Sequence, residues 1–374
     1  MRIGIDARMY HKVGIRRYAR ELIENLSKID HDNKYFVYLS SHDRQSELKN
    51  LHPNFELIYL EAPLFSIREQ LLLRSYLKRD RLDAFHSTFD FGAPFRSVSH
   101  TIVTVHDAFF GPLTFFRNYK TRLIYQLLTR FSVTRAFRII VISNYIKEKL
   151  LIHIPGIKSK SHQIRVVPNG VGPEFSPSPE LRESERIRQK YDIQDKYLLC
   201  IGSFASKNKN LLRIFTVFRE LPARFREDYQ LVIAGEILNR VPEAFNLMKE
   251  LKLENRVLCL GYVPDEDLPS LYRNAEVFIF PSLHEGFGIP ILEAMACGTP
   301  VVTSNTAAMP EVAAEAALLV DPCNNNEISD AIMKVLTDDH LKNELIKKGI
   351  ERAKEFSWSV TARKTLEVYD EASR

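Results

Sequence analysis

The chain has little that would suit a membrane span, a disulfide framework or a metal centre. No run reaches 18 apolar residues, which excludes a spanning helix, and the opening MRIGIDARMYH lacks the apolar core of a signal peptide. The four cysteines, Cys200, Cys259, Cys297 and Cys323, stand far apart in apolar or turn contexts. That spacing argues against disulfides or a zinc site and fits a reducing cytoplasm. No G-x-G-x-x-G follows the first apolar run, so the dinucleotide fingerprint is missing, and no G-x-S-x-G elbow is present. Internal repeats and low-complexity tracts are also missing. Asp265-Glu266-Asp267 has the D-x-D look of a metal site. It follows a turn and precedes Leu-Pro-Ser-Leu-Tyr, where N-capping and dipole stabilisation explain it better.

What is present is the balance of a globular protein: 374 residues, 45% hydrophobic and 26% charged, a length suited to two domains. The net charge of +5 hides a split. Residues 1–168 carry 27 Lys/Arg against 15 Asp/Glu, a net +12, and residues 169–374 carry 25 against 32, a net −7. From 108 to 146 there is no acidic residue but six basic ones, Arg117, Lys120, Arg122, Arg130, Arg135 and Arg138, interleaved with Phe109, Phe110, Phe115, Phe116, Tyr119 and Tyr125. A second basic cluster, Arg74, Lys78, Arg79 and Arg81, follows three leucines. Such surfaces suit an anionic bilayer or a lipid-diphosphate acceptor. The bland alternative is a set of core aromatics beneath a solvated charged face. No nucleic-acid-binding motif accompanies the charge.

Short β-rich runs alternate with amphipathic helical stretches along the whole length. Strands are expected at 2–5, 35–39, 56–60, 101–105 and 139–142, then at 163–167, 197–201, 230–234, 257–260, 277–280 and 300–302. Helices are expected at 15–29, 116–130 and 210–220. This alternation predicts an α/β fold of parallel sheets covered by helices. Val-Pro-Asn-Gly-Val-Gly-Pro at 167–173 and Ser-Pro-Ser-Pro at 176–179 are dense turn chemistry, which puts the domain boundary at about residue 168.

The strongest chemistry lies in FIFPSLHEGFGIPILEAMACGTPVV, residues 278–302. Gly286-Phe287-Gly288 opens a helix, with Pro290 in its first turn and Gly298 past its end. Glycines there let backbone N–H groups approach an anion, and the helix start adds partial positive charge. Glu285 precedes the helix and Glu293 lies within it. Two carboxylates beside a phosphate cradle would repel the phosphate, so their natural partners are neutral hydroxyls.

This segment resembles the E-x7-E signature of the retaining glycosyltransferases of family 4, which have the GT-B fold of two facing Rossmann-like domains. The likeness continues through Pro310-Glu311-Val312, Ala317 to Pro322, Asn169-Gly170-Val171, Gly202-Ser203-Phe204 with Lys209-Asn210, and Gly261-Tyr262-Val263. The N-terminal half is similar in outline, and the opening residues, the His-Asp placement and the Lys-Asn loop are closest to mannosyltransferase-like members. The resemblance implies an N-terminal acceptor domain (1–168), a C-terminal donor domain (169–355) and a final helix (356–374) crossing back to the first. It implies that Glu285 meets the donor sugar hydroxyls, Glu293 the ribose, and the Phe287 and Gly288 backbone the sugar or diphosphate. Tyr262 and Val263 would lie along the base, with Gly202, Ser203 and either Lys207 or Lys209 at the diphosphate. The family commonly shows Arg-Lys-Asn in this loop; here it reads Lys207-Asn208-Lys209-Asn210, and the missing Arg removes a bidentate phosphate ligand.

In the N-terminal half Gly14 stands before the helix expected from Ile15, and His106-Asp107 follows the run 101–105 at the C-terminal end of a parallel strand, where α/β sheets place ligands. The resemblance puts His106 and Asp107 near the reacting sugar, without making His106 a general base. It implies a retaining front-face displacement in which the departing phosphate takes the acceptor's proton. The expected substrates are a nucleotide sugar, GDP-mannose first, and a lipid-linked or surface-polysaccharide acceptor. The expected enzyme needs no metal cofactor and works in the cytoplasm, peripherally on the inner membrane face. The alternatives are a UDP-sugar transferase of the same fold, a sugar-nucleotide epimerase and a non-catalytic binding protein.

Overall fold

Two sheets, each wholly parallel, organise the chain. The computed structural model describes all residues except 11–12, 41–47, 62–66, 91–97, 99, 108–118, 178–180, 203–206, 236–241 and 373–374. It divides into a first unit, Met1–Gly170 with Trp358–Arg374, and a second, Val171–Ser357.

In the first unit the strands are β1 (Arg2–Asp6), β2 (Lys34–Ser40), β3 (Phe55–Leu60), β4 (Ala84–Ser87), β5 (His100–Val105), β6 (Arg138–Val141) and β7 (Ile164–Val166). They pair in the order β3-β2-β1-β4-β5-β6-β7. Parallel neighbours need crossover helices, which bury both sheet faces and make the strands read as apolar runs; Ile3, Ile5, Val37, Ile102 and Val103 are fully buried. The winding reverses between β1 and β4. The helix Trp358–Asp370 completes this unit, burying Trp358 and Tyr369. Glu371 just beyond it accepts from Arg165 Nε at 2.9 Å and also pairs with Arg138.

The second unit contains β8 (Tyr197–Ile201), β9 (Gln230–Ala234), β10 (Val257–Gly261), β11 (Val277–Phe280), β12 (Val301–Ser304) and β13 (Leu318–Val320), ordered β10-β9-β8-β11-β12-β13. Its core joins Leu198, Leu231, Ile233 and Val302 to Phe215 and Phe218 of the helix Leu211–Glu220 and Ile332 of the helix Asn325–Thr337. Here the winding reverses between β8 and β11. In an open α/β sheet, ligands bind outside the carboxyl ends of the strands at such a reversal. Each unit therefore defines one place to look.

Four details depart from the sequence reading. Strand β4 was not anticipated, because Ala-Phe-His-Ser is short and half polar, nor was the three-residue β13. The helix Val13–Ile29 begins two residues early, so Gly14 lies inside its first turn rather than ahead of it. The helix Tyr119–Arg135 runs five residues past 130. Among the described residues no helix is long and apolar enough to cross a membrane.

Candidate functional site

At the β8/β11 reversal, the loop after β8 is stitched to the loop after β11. Asn210, in the left-handed region with φ +58°, donates its Nδ2 to the carbonyls of Pro281 (3.1 Å) and Pro322 (2.7 Å). The Leu283 N–H donates to the Asn208 carbonyl at 2.8 Å. This fixes Lys209, whose Nζ donates to Glu285 Oε1 at 2.6 Å and lies 4.7 Å over the Phe280 ring. Gly202 leaves room for the lysine stem, since a Cβ there would come 3.2 Å from Lys209 Cδ. Lys207 is exposed, two residues from this ion pair. Ser203 lies outside the described residues.

The neighbouring strand ends supply backbone. Gly235 after β9 has φ +128°, and a Cβ there would meet the Gly202 carbonyl oxygen at 1.8 Å. Its N–H donates to the Gly261 carbonyl at 2.6 Å, and Gly261 itself has φ +69°. Beside them Tyr262 is 65% exposed while Val263 is buried. An exposed aromatic on a glycine-supported strand end is a surface on which a planar base can stack.

Gly288, φ +113°, starts the helix Ile289–Ala296, with Pro290 in its first turn. Gly286 stands two residues earlier in the same turn. Phe287 is buried edge-on against Phe356, with ring centroids 5.9 Å apart. Glu293 on this helix is buried and accepts from the Tyr272 hydroxyl at 2.8 Å. Glu285 and Glu293 thus differ in kind: the first faces a lysine at a loop, the second is oriented by a tyrosine inside the fold.

The first unit builds its β1/β4 end from buried polar groups. Arg8 makes a bidentate pair with Asp6, Nε to Oδ1 at 2.7 Å and Nη2 to Oδ2 at 2.6 Å, both buried. Thr88 Oγ1 donates to the Asp6 carbonyl at 2.6 Å. His106 follows β5. Its Nε2 is 2.8 Å from the Thr88 carbonyl, which only accepts, so that nitrogen carries the proton and Nδ1 is the ring's acceptor. The His106 N–H donates to Asp90 Oδ1 at 2.7 Å, and Tyr18 meets the ring edge-on at 4.6 Å. Burial pushes the His106 imidazole down to about 4, against the Thr88 hydrogen bond and the neighbouring Asp107 charge, so the ring is neutral at ordinary pH. Asp107 is half-buried beside it. Deeper in, His86 lies 2.7 Å from both the Tyr369 hydroxyl and Thr104 Oγ1, and Thr104 Oγ1 is 3.1 Å from the Tyr18 hydroxyl.

The Asp265-Glu266-Asp267 run needs one correction. Asp267 occupies the position before the helix Leu268–Arg273, but its side chain caps no N–H of it. Instead it accepts from Lys190 (2.5 Å), Tyr191 (2.6 Å) and Arg186 (2.9 Å), which hold its carboxyl below the usual range despite burial. It is a structural ion-pair hub. Sequence reasoning assigned no role to Tyr272 and Phe280 in the second unit, or to Arg8, His86 and Asp90 in the first. Only a placed β4 would have put His86 and Asp90 at a strand end.

Two parallel-sheet units, each with a polar centre where its winding reverses, define a two-unit Rossmann-like architecture. Residues 13–175 match the model described as Glycosyltransferase Family 4, and residues 183–352 match Glycosyl transferases group 1. The chain belongs to glycosyltransferase family 4. It is 29% identical over 377 residues to the O-antigen chain mannosyltransferase B of Escherichia coli, covering 96% of each chain. Its fold resembles that of a sucrose-phosphate synthase from Thermosynechococcus elongatus, with TM-score 0.80 and 21% identity over 99% of this chain and 98% of that one. It also resembles Anabaena HepE in complex with UDP and glucose, with TM-score 0.79 and 18% identity over 99% of this chain and 100% of that one.

Proposed function

We propose that this glycosyltransferase moves mannose from GDP-mannose, with retention of configuration, onto a lipid-linked or surface-polysaccharide acceptor. The observation that carries the donor assignment is the Lys209–Glu285 pair at the β8/β11 reversal, flanked by Gly202, Gly235 and Gly288. Lys209 exchanges Glu285 for the diphosphate, and Glu285 takes the sugar hydroxyls. Glu293, oriented by Tyr272, holds the ribose, and Tyr262 with Val263 lies along the base. The main chain of Gly286, Phe287 and Gly288 completes the phosphate contact. Mannose is favoured by the name of the E. coli relative that matches along nearly the whole chain. UDP remains the rival base, motivated by the UDP complex of a structural neighbour.

In the transfer, the bond from the sugar's anomeric carbon to the leaving phosphate oxygen breaks. A bond from the same face to the acceptor hydroxyl oxygen forms, and the hydroxyl proton passes to that phosphate. No protein base is needed. The neutral His106 offers Nδ1 to a hydroxyl, Asp107 stands beside it, and Lys209 stabilises the charge that develops on the phosphate. No metal takes part in this scheme, so transfer persists in a chelator.

The acceptor is received by the first unit, which works at the cytoplasmic membrane face. Leu123, Ile124 and Leu127 of the helix Tyr119–Arg135 are 44%, 58% and 56% exposed, close to the exposed Arg130. Apolar side chains beside basic ones suit an anionic lipid surface.

A thermal-shift panel of nucleotides and nucleotide sugars, followed by NMR of the product from the stabilising donor, tests this reading. GDP and GDP-mannose should stabilise most and give an α-mannoside. Preference for UDP over GDP overturns the mannose assignment, and an epimerised nucleotide sugar from donor alone identifies an epimerase.

A further inference from the structure

Asp90 is used in none of the steps above, yet it touches the residues that carry them. It is 2% exposed, two residues past Thr88, whose carbonyl fixes the His106 ring. One carboxyl oxygen accepts from the His106 N–H at 2.7 Å, and the other accepts from the Tyr125 hydroxyl. Tyr125 lies on the helix Tyr119–Arg135. The groups that face Asp90 are thus His106 and Asp107 from the segment after β5 and Tyr125 from this helix. Among the described residues none is a cation paired with it. A carboxylate buried without a counter-cation destabilises a fold, but only a carboxylate turns an acceptor oxygen toward both donors, since an amide has one acceptor oxygen and a donating NH2. Its charge is therefore better explained by what it holds in place.

We infer that Asp90 is a positioning residue of the transfer reaction: its carboxylate clamps the His106 main chain and the Tyr125 hydroxyl into one geometry at the end of β5. This rests on reading His106 as part of the reaction site. Burial pushes the Asp90 carboxyl up to about 7, with the Asp107 charge adding to the rise and the Tyr125 and His106 hydrogen bonds opposing it. The His106 ring stays neutral above about 4, and the Tyr125 hydroxyl is held far above its ordinary value. Asp90 is accordingly the group of this cluster that titrates near neutrality.

Steady-state transfer kinetics of wild type, Asp90→Asn and Tyr125→Phe between pH 5.5 and 8.5, with melting temperatures beside them, test the inference. Wild-type kcat should fall as pH drops through about 7, because the clamp is lost on protonation. Asp90→Asn should lower kcat about 10- to 100-fold at pH 8 with the donor KM within about threefold, the loss of a charge-assisted hydrogen bond felt in the transition state. It should also lack the limb near neutrality and melt no lower than wild type at pH 8. That sign follows because a carboxyl raised from its unfolded value contributes stability at low pH that is lost as pH rises through its folded value. Tyr125→Phe removes a bond to the ionised form and should move the limb to higher pH, which keeps a readout if Asp90→Asn folds poorly. A kcat for Asp90→Asn within about twofold of wild type, or a limb unmoved in Tyr125→Phe, overturns the inference alone. Absence of transfer by wild type across the donor panel overturns the transferase reading, and the inference falls with it.

Discussion

The two units solve similar binding problems with opposite materials. The second, Val171–Ser357, carries 22 Lys/Arg against 29 Asp/Glu, a net −7, and its candidate site is mostly backbone: Gly202, Gly235, Gly261 and Gly288 around one lysine–glutamate pair. The first carries a net +12, with 30 Lys/Arg against 18 Asp/Glu, and its site is a buried network of neutral His106 and His86, Thr104, Tyr18 and Tyr369, joined to Asp90. On the proposed reading the acidic unit holds the diphosphate through local N–H dipoles and Lys209, against a repulsive overall field. A basic unit can attract an anionic acceptor or bilayer at long range, and its interior network then fixes geometry rather than charge. Net charge and site chemistry are separate properties: the acidic unit carries the candidate anion site, and the basic unit a neutral network.

Substitution of the glycines sharpens the contrast most strongly. At Gly235→Ala the new Cβ meets the Gly202 carbonyl 1.8 Å away at φ +128°, so urea unfolding should show a loss of about 3 kcal/mol or more, with donor binding abolished. Equal stability would mean that the β8 and β9 ends do not need their close approach. An intermediate effect is expected from pH on the first unit. Burial pushes His86 down to about 3, helped by His106, so the unfolded chain takes up a proton below about 6.5 that the folded one refuses. Stability from neutral His86 is therefore lost as pH falls, and relative to His86→Gln the wild type should lose about 2 kcal/mol between pH 7 and 5. Parallel stability curves for the two proteins would contradict that. The smallest effect belongs to Gly261→Ala, which has open space around its Cβ and only the left-handed φ of +69° to strain it, about 1 kcal/mol in the same unfolding assay.

The second unit was far more legible in the sequence than the first. Strands 197–201, 230–234 and 277–280 are continuous apolar runs ended by Gly or Pro, and the structure gives Tyr197–Ile201, Gln230–Ala234 and Val277–Phe280. Its site is local too: Glu285, Gly286, Gly288 and Glu293 share one loop and helix, and Lys207 and Lys209 share one turn. Sequence favours Lys209 over Lys207 because Asn210 follows it, and the structure pairs Lys209 with Glu285 and leaves Lys207 exposed. The first unit's network could not be read because it is assembled by topology. His86 meets Tyr369 across 283 positions, and Tyr18 meets Thr104 across 86. A buried polar side chain carries no periodic signal, and β4, the strand that delivers His86 and leads into Asp90, was too short and polar to be recognised.

The division of labour between the units is tested most directly by calorimetric titration of GDP into wild type, Lys209→Ala and His106→Ala, with transfer rates measured on the same samples. Lys209→Ala should weaken GDP about tenfold or more by removing its charge-assisted phosphate contact. His106→Ala should bind GDP as wild type does and yet lose transfer. GDP binding that survives in Lys209→Ala, or that fails equally in His106→Ala, would contradict the assignment of the donor to the second unit.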